Sequence, residues 1–209
     1  MKILYIESKL KDSSLSLPDE EIKKLPSKIF LAYSLQYKSI AEKIKKQLLA
    51  NNIKITRFQQ VLGCSKIDSK EPVLLIGEGR FHAINLFLQT PALYILANNQ
   101  IKQVPREDIE KLKAIRKSAL IKFLGAEKIG ILVSTKPGQE NLKEAIELRQ
   151  KLKKKGKQAY IFLSNNIDIT QFENFNIDSW VNTACSGISY DDPSIINYSE
   201  IKLLRNHQD

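Results

Sequence analysis

One seven-residue pattern occurs twice, 128 − 28 = 100 positions apart: Lys28-Ile-Phe-Leu-Ala-Tyr-Ser34 and Lys128-Ile-Gly-Ile-Leu-Val-Ser134. Each copy is an unbroken apolar run, the pattern of a strand covered on both faces. Each run leads through a loop into an amphipathic helix. The first helix, residues 37–50, carries Ile40, Ile44 and Leu48 on one face and can end at Asn51-Asn52, since Asn tolerates a left-handed cap. The second, residues 139–155, has Glu140, Glu144 and Glu147 early and Lys151, Lys153, Lys154 and Lys155 late, an order that complements the helix dipole, with Gly156 as its stop. A further strand follows each helix, at residues 53–57 and 158–163.

Two such βαβ units predict an α/β fold of two Rossmann-like, doubly wound parallel-sheet domains. The expected boundaries are an N-terminal strand (1–7) and linker to residue 24, a first domain over 25–124 and a second over 125–209. Apolar runs at 72–77 and 92–97 add strands to the first domain, and residues 106–124 read as a longer basic helix with Ile109, Leu112, Ile115, Ala119 and Phe123 inward. Pro18 and Pro26 mark 8–26 as a linker with at most one helical turn. At 43% hydrophobic residues the 209-residue chain can bury full cores without staples.

No apolar run approaches membrane-spanning length and the N-terminus lacks a secretory cleavage pattern, so a cytoplasmic protein is expected. The net charge is +10, but only six of the 33 basic residues are Arg, the residue suited to forked phosphate and base recognition. A lysine excess spread over helices is a solvated face. With no aromatic-interleaved basic stripe, nucleic acid is not the expected partner.

Parallel sheets present their ligand loops at the carboxyl ends of strands. Three loops fall there. Gly77-Glu-Gly-Arg-Phe-His82 turns a strand into a helix: Gly77 and Gly79 permit close backbone approach, Arg80 can fork onto a carboxylate, and His82 is either a site group or a helix-surface residue. A third glycine is missing, so the dinucleotide fingerprint is not met, and an ordinary turn serves equally well. Ser134-Thr135-Lys136-Pro137-Gly138-Gln139 can cradle a carboxylate or phosphate, or be a plain βα turn; its glycine spacing is not that of a Walker loop. The third loop, at 184–187, carries Cys185 after the short strand of 178–183. Taken alone, such a cysteine reads as a small buried hydrophobe. Cys64 and Cys185 lie 185 − 64 = 121 residues apart, neither a disulfide framework nor a CxxC zinc pattern.

In order, Val61-Leu-Gly-Cys64, residues 77–82, Gly130-Ile-Leu-Val-Ser-Thr-Lys136 with Gly138-Gln139, and Val181-Asn-Thr-Ala-Cys185 followed by Asp191-Asp192 resemble the diphthamide-synthesis family of 2-(3-amino-3-carboxypropyl)histidine synthases. The resemblance runs from about residue 25 to the C-terminus. It implies related Rossmann-like domains, each giving one cysteine to a [4Fe–4S] cluster that binds S-adenosylmethionine at an open iron. A 3-amino-3-carboxypropyl radical then adds to a histidine of translation elongation factor 2. The family works as a dimer. By position, Cys64 and Cys185 become the middle- and C-terminal-domain ligands. Gly77, Gly79, Arg80, His82, Ser134, Thr135, Lys136, Gly138 and Gln139 become candidates for holding the cofactor, and no residue is assigned to catalysis.

Two departures stand out. The family's first domain and its cysteine have no counterpart in these residues, and Ser186-Gly187 stands where the family has Pro-Arg. The leading expectation is therefore one part of a split synthase, in a homo- or hetero-oligomer, with a separate first-domain chain carrying the missing cysteine. Two alternatives are a non-catalytic paralogue that dimerises with a full-length synthase or binds the elongation factor as a scaffold or regulator, and a binder of S-adenosylmethionine or another anionic metabolite without a cluster.

Overall fold

The computed structural model describes residues 10, 15–63, 65, 67, 69–77, 83, 86–190 and 192–205. It divides into two compact units, Met1–Ile109 and Glu110–Asp209. The strand expected at residues 1–7 lies outside the described residues.

In the first unit the strands are β1 (Lys28–Tyr33), β2 (Lys54–Gln60), β3 (Val73–Ile76), β4 (Leu93–Ala97) and β5 (Gln100–Gln103), in sheet order β2-β1-β3-β4-β5. The first four run parallel and β5 is antiparallel to β4. Side chains alternate faces along a strand, so β1 feeds two cores. Ile29, Leu31 and Tyr33 join Leu74 and Ile76 under the inward face of helix α2 (Lys38–Ala50), which presents Ala41, Ile44 and Leu48. Phe30 and Ala32 join Val73, Leu75, Val61, Leu86 and Phe87 on the other side.

Two elements depart from the sequence reading. The stretch expected as a linker holds the single helical turn expected of it, α1 (Asp19–Ile22), but it packs: Leu17, Ile22 and Leu25 are buried in the same core as α2. The Ile101 amide donates to Glu21 Oε2 at 2.7 Å, tying this segment to β5. The breakers Pro18 and Pro26 bound the turn without freeing the chain between them. The sequence reading also passed over β5. Its hairpin turns on Asn98 (φ 52°) and Asn99 (φ 60°), the doubly left-handed turn whose twist matches an antiparallel pair.

In the second unit β6 (Lys128–Ser134), β7 (Gln158–Ser164), β8 (Ser179–Asn182) and β9 (Ile195–Asn197) form an all-parallel sheet ordered β7-β6-β8-β9. Helix α3 (Arg106–Gly125) begins in the first unit and continues into this one, followed by α4 (Leu142–Lys154) and α5 (Tyr198–Arg205). Ile129, Ile131 and Val133 pack with Ala145, Leu148 and Leu152 of α4 and with Ala119 and Phe123 of α3. The opposite face holds Leu132, Trp180 and Ile195, with Phe162 and Phe172 packed against them. A Cβ on Gly130 would stand 2.3 Å from the Trp180 ring, so the second copy of the repeat needs glycine where the first has Phe30. The paired repeat is thus two parallel βαβ units, a mixed α/β architecture, as the 100-residue offset predicts.

Candidate functional site

Strands β6 and β8 are neighbours, and both end at the same edge of the second sheet. The β6 end carries Ser134–Gln139 and the β8 end carries Cys185. Asn141 joins them: its Nδ2 donates to the Thr183 carbonyl at 2.6 Å. Helix α4 starts at Leu142, three residues later than the sequence suggests, and the Asn141 side chain bonds the end of β8 and does not cap the helix.

Within the β6 loop Ser134 is buried and its Oγ accepts from the Lys136 amide at 3.1 Å. The Thr135 amide donates to Ser164 O and the Gln139 amide to Lys136 O. Gly138 takes φ 78°, which a β-carbon would strain. Three loop amides are therefore spent within the protein. What the loop offers an anion is its exposed rim: the Thr135 hydroxyl, the Lys136 ammonium and the Gly138 backbone.

Cys185 is a free, half-buried thiol. The backbone around it is tied from beneath by buried amide side chains. Asn182 Oδ1 accepts from the Ala184 amide at 2.9 Å, and Asn182 Nδ2 donates to the Cys185 carbonyl at 2.8 Å. The same Nδ2 donates to Asn197 Oδ1 at 2.9 Å, which also takes the Ser189 hydroxyl at 2.7 Å. Asn182, Ser189 and Asn197 are all at most 4% exposed, a burial that polar side chains tolerate only when satisfied. A short 3-10 turn, Ser186–Ile188, follows the cysteine. Burial pushes the Tyr190 phenol above its ordinary pKa.

The far side of the loop is held by Arg116. Its Nε and Nη2 fork onto Glu200 at 2.9 and 2.6 Å, Nη2 donates to Ile195 O at 2.9 Å, and Nη1 donates to Ser189 O. Glu200 Oε2 also accepts the Asn197 amide at 2.9 Å. The sequence reading put Ile115 on the inward stripe of this helix. The structure buries Arg116 there with Leu112, Ala119 and Phe123, and leaves Ile115 half exposed. The available signal was an arginine at the i+4 position of an apolar stripe. Asn182, Ser189 and Asn197 were also missed; Asn182 directly before Thr-Ala-Cys was the visible clue.

In the first unit, Gly77 ends β3 against β1: a Cβ there would lie 2.8 Å from Ser34 Oγ. Gln89 clasps the loop after β2, accepting the Ile67 amide at 2.8 Å and donating to Ser65 O at 3.1 Å. Cys64, Gly79, Arg80 and His82 lie outside the described residues, as does Asp191. Among the described residues no group of three His, Cys, Asp or Glu could hold a metal ion. Among the described residues Cys185 offers a single thiol donor.

A family model described as "Putative diphthamide synthesis protein" matches residues 1–208. The chain belongs to the diphthamide-synthesis family. It is 29% identical over 201 residues to the 2-(3-amino-3-carboxypropyl)histidine synthase of Pyrococcus horikoshii, a match covering 88% of this chain and 59% of that protein. It is 26% identical to subunit 1 of the same synthase from Kluyveromyces lactis, over 99% of this chain and 55% of that one. Among solved structures, Dph2 from Pyrococcus horikoshii with a 4Fe-4S cluster superposes with a TM-score of 0.74 at 26% identity, covering 90% of this chain and 59% of that one. The chain thus spans a little over half the length of these diphthamide-synthesis relatives.

Proposed function

We propose that the chain supplies two thiolates, Cys64 and Cys185, to the [4Fe–4S] cluster of a diphthamide synthase that moves the 3-amino-3-carboxypropyl group of S-adenosylmethionine to a histidine of translation elongation factor 2. The observation that carries the reading is Cys185 itself: a free thiol on an immobilised strand-end loop, in a chain whose family model spans nearly its whole length. When bound, such a cluster supplies the electron for reductive cleavage of the sulfonium.

The residues of the chain then have defined work. Cys185 gives a thiolate whose backbone is fixed before iron arrives, so little ordering entropy is lost on binding. The rim of Thr135, Lys136 and Gly138, with the Gln139 side chain beside it and buried Ser134 bracing the turn from within, offers a positive, donor-bearing edge to the aminocarboxypropyl carboxylate. Gly77, Gly79, Arg80 and His82 are proposed as the matching contacts in the first unit. The third thiolate comes from outside these 209 residues, and a separate first-domain chain in a cytoplasmic homo- or hetero-oligomer is its proposed source.

Transfer of label from carboxyl-labelled S-adenosylmethionine to elongation factor 2, by the chain reduced anaerobically with a first-domain partner, tests this. Transfer that disappears in Cys64→Ala and in Cys185→Ala supports it. Transfer undiminished in both variants makes the chain a scaffold for another synthase.

A further inference from the structure

The buried polar network beneath Cys185 uses more hydrogen-bonding side chains than closing a short loop needs. A path runs from the Cys185 carbonyl through Asn182 Nδ2 to Asn197 Oδ1, from the Asn197 backbone N–H to Glu200 Oε2, and from there to Arg116. Arg116 returns to the loop at Ser189 O and Ile195 O, closing the path on itself. Every polar atom of the Asn182 side chain used here touches backbone within three residues of the thiol or another member of the path. An apolar pair at positions 182 and 197 would fill the same space without the cost of burying two amides.

We infer that Asn182 is a positioning residue for the Cys185 thiolate, and that Arg116, through Glu200 and Asn197, sets the orientation of Asn182. Asn182 grips the chain on both sides of position 185, by the Ala184 amide and the Cys185 carbonyl, and so fixes the direction in which Cβ leaves the backbone. The Asn197 acceptor selects which end of the Asn182 amide points at the cysteine: with Oδ1 of Asn197 facing it, only the NH2 end fits there. Arg116 is the anchor on a separate helix that keeps the loop from sliding along the sheet edge. This role rests on the reading of Cys185 as a cluster ligand, but it makes a claim about the thiol that needs no cluster to test.

The test uses the chain in a Cys64→Ala background, so that Cys185 is the sole thiol, and follows its alkylation by iodoacetamide under native conditions. Asn182→Ala is expected to raise the rate about fivefold, the local opening that follows loss of hydrogen bonds worth roughly 1 kcal/mol net. Arg116→Lys, which keeps the charge and loses the fork, is expected to raise it by a smaller factor. Leu148→Ala, an apolar core truncation outside the hydrogen-bonded path, serves as a control for lost stability and should leave the rate unchanged. Equal rates in Asn182→Ala and Leu148→Ala would overturn the inference, because a merely structural asparagine would act only through global unfolding. Iron uptake with the partner separates the two claims. Full iron in Cys185→Ala sinks the ligand reading while the alkylation comparison still decides the role of Asn182; full iron in Asn182→Ala with iron lost in Cys185→Ala counts against positioning alone.

Discussion

At the scale of single residues, three positions show how local chemistry decides between alternatives. Gly130 faces the Trp180 ring with no room for a β-carbon. Gly130→Ala should therefore force the indole aside and cost about 1–3 kcal/mol, read as a lower urea midpoint at unchanged slope. Ser179 is fully buried in β8, and its Oγ finds no hydrogen-bond partner among the described residues. Removing an unpaired hydroxyl removes a desolvation penalty, so Ser179→Ala should raise the unfolding temperature by about 2–4 °C. Asp178 accepts the Glu127 and Lys128 amides at 3.0 and 2.8 Å, and these bonds hold its carboxyl below the ordinary aspartate value. A depressed carboxylate contributes stability that is present above the unfolded-state pKa and is lost as pH falls through the lower folded value. Asp178→Asn should thus weaken the second unit at neutral pH, by at most about 1 kcal/mol after allowing for exposure, and the gap to the parent should close as pH falls below the ordinary aspartate range and through the lowered folded value. Urea titrations at pH 7 and in the acid range would show a constant gap if the carboxylate charge has no part.

At the scale of elements, the strand–helix–strand repeat was plain because its signal is hydrophobic patterning, and patterning survives substitution: the central residues of β1 and β6 differ yet form the same unbroken buried run. What the sequence hid was geometry that depends on distant partners. The 15–25 segment looked like a linker because its polar residues outnumber Leu17, Ile22 and Leu25, and only the sheet beside it shows that all three are buried. Leu17→Ala, in a site less than 2% exposed, should cost about 2–5 kcal/mol, where a true linker would lose almost nothing; chemical denaturation separates the two. The inward face of α3 was misassigned by one position because a buried arginine breaks the apolar stripe. Arg116 is there for its fork onto Glu200 and for two backbone carbonyls, Ser189 O and Ile195 O, contacts that link residues 73 to 84 positions apart and leave no local pattern. Cys185 was legible through its motif, whereas Asn197 and Ser189, which hold its loop through Asn182, were not.

At the scale of the whole molecule, the family match and the donor inventory point the same way. The sequence holds two cysteines, the number the proposed function assigns to this chain, and the chain spans 59% of its Pyrococcus horikoshii relative. Among the described residues no helix is long and apolar enough to cross a membrane. The central claim is that this chain's two thiolates ligate iron. The measurement closest to that claim is iron and sulfide content, with the low-temperature EPR spectrum of the dithionite-reduced sample, after anaerobic reconstitution of the chain with a first-domain partner. The account predicts about four irons per complex and a reduced [4Fe–4S] signal, both lost in the Cys64→Ala, Cys185→Ala double variant. The same iron content and spectrum in the double variant would contradict it.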